Sequence, residues 1–160
     1  MNTACCKCRT ELTREESWYG LHKNCFKECF GLDEPTQFAD LAVRSQSQAP
    51  QEHQVANISF FHGAYRKYSA RLGNVNFILK VQQTEYPELP ATEFLCNQIY
   101  ESLNITIPNY YLIRFPAEQL CFVTKNFMSG LITSDLVHIY HFLKGGMSHD
   151  CASLVTIIGE

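Results

Sequence analysis

The 160 residues are 46% hydrophobic and 18% charged, a balance that builds a folded core and excludes wholesale disorder. No run approaches the roughly 18 apolar residues that span a bilayer. The opening MNTACCKCRTEL has no apolar signal-peptide core, and a net charge of −3 gives no general pull toward nucleic acid or anionic lipid. Eight cysteines, five of them between Cys5 and Cys29, in a chain without an export signal point to metal rather than disulfides. Composition therefore predicts a soluble, intracellular protein of mixed α/β type with a cysteine-rich head.

In chain order, residues 1–31 hold the cysteine cluster and a helix-like stretch, His22 to Phe30, stopped by Gly31. Residues 32–57 are thin in apolar side chains, and Arg44 to Gln54 reads as a polar connector. Ala64–Leu72 and Val75–Gln82 are strand-like, with Gly73-Asn74 as a short turn between them. The segment TEYPELP then breaks the chain, and a helix follows with Pro90 in its first turn. In it, Leu95, Ile99 and Leu103 recur every four residues as one apolar stripe. Tyr110–Phe115 and Leu120–Asn126 read as an antiparallel hairpin joined by Pro116 to Gln119. Ser134 begins a short helix, Asp135–Leu143, which Gly145-Gly146 stops. Ser148 caps a last helix whose Leu154, Val155, Ile157 and Ile158 face inward. Nothing in the remaining two residues covers that face. A terminal helix docked on its own domain and the front part of a longer protein both fit the pattern.

The strongest local motif is Cys5-x2-Cys8, thirteen residues, then His22-x2-Cys25. Each pair grips a metal ion from one tight turn, and three thiolates with one imidazole match tetrahedral zinc. Cys6 and Cys29 can substitute in or add to the set, and free or buried thiols are the alternative. Such a site is structural: a head with so little core gains its folding energy from the metal, and no nearby general base points to zinc catalysis.

A lysine on a strand and a glutamate on the next helix hold nucleotide phosphates in protein kinases. Here FILK ends an apolar strand at Lys80, thirteen residues before Glu93. A solvated strand terminus and a glutamate compensating the helix dipole fit that spacing too. The wider sequence adds to it. GAYRKYSARLG from Gly63, FILKVQQTEYPELPATEFLCNQI, NITIPNYYLIRF and CFVTKNF resemble the N-terminal lobe of HipA-like serine/threonine kinases. That family's pattern is G-A-Q-x-K, I-L-K-P, Y-P-x-L-x-x-N-E-x-x-C, G-x-x-V-P and a hinge F-V-V-E-R-F-D-R. The head, LHKNCFKECFG, resembles a C-x-x-C…Y-H-x-x-C-L-x-x-L-F-G leader found in compact relatives.

The resemblance implies an α+β fold: a kinase-like N-lobe of antiparallel sheet plus helix at 58–128, a zinc-binding leader at 1–31, and at 129–160 the start of a second lobe. It implies ATP as ligand, Lys80 as the phosphate lysine and Glu93 as its partner. Phe60–Lys67, with Gly63, becomes the phosphate-covering loop, and Thr124–Phe127, with Lys125 and Phe127, the hinge beside adenine. Ser59 is the nearest match to the family's autophosphorylated serine, one position out of register. The acidic hinge residues are replaced by Lys125 to Met128. The aspartate that positions the attacking hydroxyl and the Asn/Asp pair that holds magnesium belong to an N-x-D-x-H-x-x-N segment and a later Y-D or F-D pair. Beyond Met128 the carboxylates are Asp135, Asp150 and Glu160, none in such a segment, so no catalytic residue is expected in this chain and magnesium only with a second lobe. His138, His141 and His149 make no ligand spacing with a carboxylate. CASLVTIIGE resembles the start of the family's first C-lobe helix, so the expectation is a truncated or split kinase toxin in the bacterial cytoplasm. The implied partners are a helix-turn-helix antitoxin or a C-lobe chain, and the complete enzyme's substrate is a protein such as an aminoacyl-tRNA synthetase. A non-catalytic regulatory subunit, a zinc-headed protein adaptor and a functionless gene remnant are the competing expectations.

Overall fold

Four strand-like segments of the chain produce the sheet on which everything else rests, and its middle strands, covered on both faces, bury Phe77–Leu79 and Cys121–Val123 as consecutive runs. The computed structural model describes residues 3–13, 17–44 and 65–127. In it β1 (Thr3–Ala4) and β2 (Glu11–Leu12) form a small pair, followed by α1 (Lys23–Phe30) and β3 (Ala39–Arg44). Then come β4 (Lys67–Leu72), β5 (Val75–Val81), α2 (Leu89–Ser102), β6 (Tyr110–Arg114) and β7 (Leu120–Lys125). The large sheet is antiparallel throughout, in the order β3-β4-β5-β7-β6. The fold is α+β: a five-stranded antiparallel sheet with two helices. Among the described residues no helix is long and apolar enough to cross a membrane.

The turns behave as their residues dictate. Gly73 takes φ 58 between β4 and β5, where Leu72 pairs with Val75. Gly31, at φ 70, ends α1 and donates its N–H to the Lys27 carbonyl at 2.7 Å. The β6–β7 connection is the expected hairpin turn, with Ala117 and Glu118 left-handed at φ 64 and 62, closed by Phe115 N–H on the Gln119 carbonyl at 2.8 Å.

Alternation gives the sheet two unlike faces. Leu72, Phe77, Leu79, Ile113, Cys121 and Val123 share one core with Leu12, Leu21 and Phe26 of the head. An aromatic layer joins the two: the Phe30 ring lies 5.7 Å from Phe77 and 4.9 Å from Tyr111, and Tyr19 lies 5.5 Å from Phe115. The opposite face packs against α2, with Phe94 5.5 Å from Tyr110.

Two expectations are corrected. The segment 32–57 is not connector throughout: Ala39–Arg44 is an edge strand, with Val43 opposite Tyr68 and Ala42 opposite Ser69. Strand pairing there is backbone hydrogen bonding with a bulge between Ala39 and Ala42, and it needs few apolar side chains. Asp40, at φ 55 inside the bulge, accepts from Arg71 at 2.8 Å. The second correction concerns α2. Leu95, Ile99 and Leu103 are not its buried side but 56%, 49% and 63% exposed. Pro90 is buried, and Glu93, Phe94 and Asn97 are half-buried on the side that meets the sheet. Phe94 and the ion pair of Glu93 select the face. The expected helices at Asp135–Leu143 and after Ser148 lie outside the described residues.

Besides this shared core, a tight turn of the head meets the end of β6. Trp18 and Leu21 exchange backbone hydrogen bonds at 2.9 Å around a Tyr19-Gly20 turn with φ 52 and 72, both positive as a type I′ turn requires. A Cβ on Gly20 would lie 2.7 Å from Arg114 Cβ and 3.1 Å from Cys6 Sγ. Gly20→Ala is therefore expected to lower stability by about 2 kcal/mol through strain and overpacking, read as a lowered denaturant midpoint. An unchanged midpoint would show that this contact carries no load.

Candidate metal centre and lysine–glutamate site

Each half of the cysteine cluster is shaped by its own backbone. Cys5 N–H donates to the Thr10 carbonyl at 2.9 Å and Arg9 N–H to the Cys5 carbonyl at 3.0 Å, so residues 5–10 curl into a tight loop. Arg9 closes it at φ 66. The second pair straddles the start of α1: His22 is the N-cap residue and Cys25 lies in the first turn, so three-residue spacing puts both on one side.

The ligand atoms of Cys5, Cys8, His22 and Cys25 all lie within 4.8 Å of one another. Zinc with its usual bond lengths has tetrahedral edges of about 3.8 Å between sulfurs and about 3.5 Å from sulfur to nitrogen. His22 Nδ1 is 3.4 Å from Cys8 Sγ and 4.0 Å from Cys25 Sγ. Its other nitrogen, Nε2, donates to the Glu11 carbonyl at 2.9 Å. A carbonyl only accepts, so the proton resides on Nε2 and the Nδ1 lone pair points into the cluster, the tautomer a metal ligand needs. The four residues can hold a metal ion such as zinc, and four protein ligands leave no open position for catalysis. Cys6 and Cys29, which the sequence left as alternatives, lie outside the group.

Electrostatics favour a cation at the same point. The Thr10 hydroxyl and N–H hold the Cys8 thiol down to about 6. Burial pushes Cys5 up, but the backbone N–H groups of Cys8, His22 and Lys7 outweigh it and leave the thiol below its ordinary value. Burial, then the thiols of Cys8 and Cys5, push Cys25 up to about 12. Without a cation, Cys25 therefore keeps its proton at neutral pH. Metal uptake displaces that proton, so affinity rises with pH. From pH 7.5 down to 6 the zinc dissociation constant is expected to rise at least about tenfold per unit, since His22, raised by its hydrogen bond to the Glu11 carbonyl, also takes up a proton there, and more steeply below about 6 as Cys8 protonates too. A competition titration with a chromophoric chelator checks this, and a pH-independent affinity would contradict thiolate ligation.

The second cluster sits on the face that meets α2. Lys80 Nζ is ion-paired with the Glu93 carboxylate, their side chains 20% and 28% exposed, and lies 5.7 Å over the Phe122 ring. Asn97 Nδ2 donates to the Glu93 carbonyl at 2.8 Å. The sequence placed Lys67 at the end of the phosphate-covering loop, whereas it begins strand β4. Next to the Tyr68–Leu79 pair, the register sets Lys67 across from Lys80, and Lys67 is only 9% exposed. Burial, then the charge of Lys80, pushes its ammonium below the usual value, while Glu93 pulls it back. The signal was present: GAYRK carries a lysine that alternation places on the Lys80 face.

The structure brings together Lys67, Lys80 and Glu93 but not the side chain of Lys125. Lys125 stands opposite Phe77, on the face that packs against the head. Phe127 follows β7 and is 45% exposed. Gly63 and Ser59 lie outside the described residues. No family model matches this chain, and no curated protein matches it significantly in sequence.

Proposed function

We propose that residues 58–128 form the N-lobe of a HipA-like serine/threonine kinase and that Lys80, oriented by Glu93, receives the phosphates of ATP. The observation that carries this reading is the Lys80–Glu93 ion pair, which joins the third strand of the sheet to the helix that follows it. Lys67 beside it brings a second lysine to the same face of the sheet. Lys125 contributes through its backbone at the hinge, beside Phe127. The zinc-stapled head at 1–31 is a structural leader. These 160 residues contain no magnesium or hydroxyl-positioning motif, so transfer to a protein substrate such as an aminoacyl-tRNA synthetase requires a second lobe, and control falls to a helix-turn-helix antitoxin. Calorimetric titration with ATP tests the reading: saturable one-to-one binding is expected, with no phosphate transferred to the chain itself. No heat of binding up to millimolar ATP would contradict it.

A second reading, a non-catalytic regulatory subunit, is favoured by the exposed stripe Leu95, Ile99 and Leu103, which a C-lobe chain would cover. Co-purification with such a chain, unaffected by Lys80→Ala, would favour it over nucleotide binding.

A further inference from the structure

Strand β6 is last in the sheet order, so among the described residues one of its backbone edges has no strand beside it. The register identifies the groups on that edge. Phe115 N–H and Lys125 N–H bond across the β6–β7 ladder to Gln119 and Asn109. Alternation therefore turns Tyr111 and Ile113 toward β7, and Tyr110, Leu112 and Arg114 outward. At Arg114 the outward edge is already in use, its N–H donating to the Tyr19 carbonyl at 2.8 Å. The head then turns away, the Gly20 carbonyl accepting from Cys6 N–H at 2.8 Å. No acceptor among the described residues meets the N–H of Leu112, a residue only 8% exposed.

A cavity of about 470 Å³ lies against this stretch. One wall is the head, with Lys7 and Glu28, and the other is α2, with Phe94 and Glu101. The two layers that cover the sheet thus leave a slot whose floor is an open strand edge. Buried backbone groups without partners favour pairing with an added strand. Lys7 is ion-paired with Glu28, so Glu101, which accepts from the Tyr110 hydroxyl at 2.8 Å, is the carboxylate in excess. Phe94 and Ile107 supply apolar contact beside it.

We infer that this slot binds an extended segment of a separate polypeptide as a sixth strand beside β6, with a basic side chain directed at Glu101 and apolar side chains toward Phe94 and Ile107. The inference does not depend on ATP binding.

The probe is an end-blocked octapeptide of alternating valine and lysine, titrated into the isotopically labelled full chain. Saturable amide shifts at Tyr110 and Leu112 are expected with a dissociation constant below ~1 mM, and exchange of the Leu112 amide slows at least about tenfold. The same peptide N-methylated at every residue cannot pair by either edge and should not bind. Glu101→Gln should weaken binding about fivefold. Absence of shifts, or equal binding of the methylated peptide, overturns the inference. So does a Leu112 amide already protected without peptide: protection that persists on dilution means this chain fills its own slot, and protection lost on dilution means a second copy does.

Discussion

Removing the metal is expected to unfold the head and to weaken the sheet beneath it. The head has two-residue strands and an eight-residue helix, too short to persist on their own propensity. Structural zinc contributes on the order of 10 kcal/mol of apparent folding free energy in comparable small sites. Its loss also uncovers Leu72, Phe77, Leu79 and Val123, which share their core with Leu12, Leu21 and Phe26. Chelation should therefore lower Tm by more than about 10 °C and abolish the near-ultraviolet signal of Tyr19 and Trp18. Cys25→Ser should reproduce the effect. Cys6→Ser, outside the ligand group, should retain the metal. A chelated protein with unchanged Tm would mean that the aromatic layer alone fixes the head.

Lys80→Ala is expected to weaken ATP about 100-fold, or about 2.7 kcal/mol, because it removes a cation that Glu93 orients by a direct ion pair. Lys67 keeps part of the positive potential, so residual binding should survive and fall further in the Lys67→Ala, Lys80→Ala double variant. Glu93→Gln leaves the charge of Lys80 but releases its position, and about a tenfold loss is expected. Fluorescent-nucleotide titration separates these cases. Wild-type affinity in Lys80→Ala would remove Lys80 from the nucleotide site and with it the main support for the kinase reading.

What the sequence disclosed follows from which forces have a period. Strands β4 to β7 were legible because one face is buried, and α1 was legible from its Gly31 stop. The Lys80–Glu93 pairing was expected from the family resemblance, since the spacing alone fits a solvated lysine and a dipole-compensating glutamate as well. Strand β3 was not, since Ala39–Arg44 pairs through its backbone and leaves Leu41 57% exposed. The stripe on α2 misled for a related reason: periodicity reports that a helix has an apolar side, not which side the sheet takes. Spacing singled out Cys5, Cys8, His22 and Cys25, the set the structure brings together, but left Cys6 and Cys29 able to join it. The hydrogen bond from His22 to the Glu11 carbonyl and the curl of residues 5–10 separate ligands from bystanders. The shared core of head and sheet had no sequence signature, because Tyr19, Phe26, Phe30 and Phe38 meet partners far along the chain.

One metal ion is expected to hold the head in shape, and the head packs on a sheet whose other face carries Lys67, Lys80 and Glu93. X-ray absorption at the zinc edge, on protein purified without chelators, tests that most directly. It should give one zinc per chain, with three sulfurs at about 2.3 Å and one nitrogen at about 2.0–2.1 Å. A protein free of zinc, or a shell of four sulfurs that draws in Cys6 or Cys29 in place of His22, would contradict it.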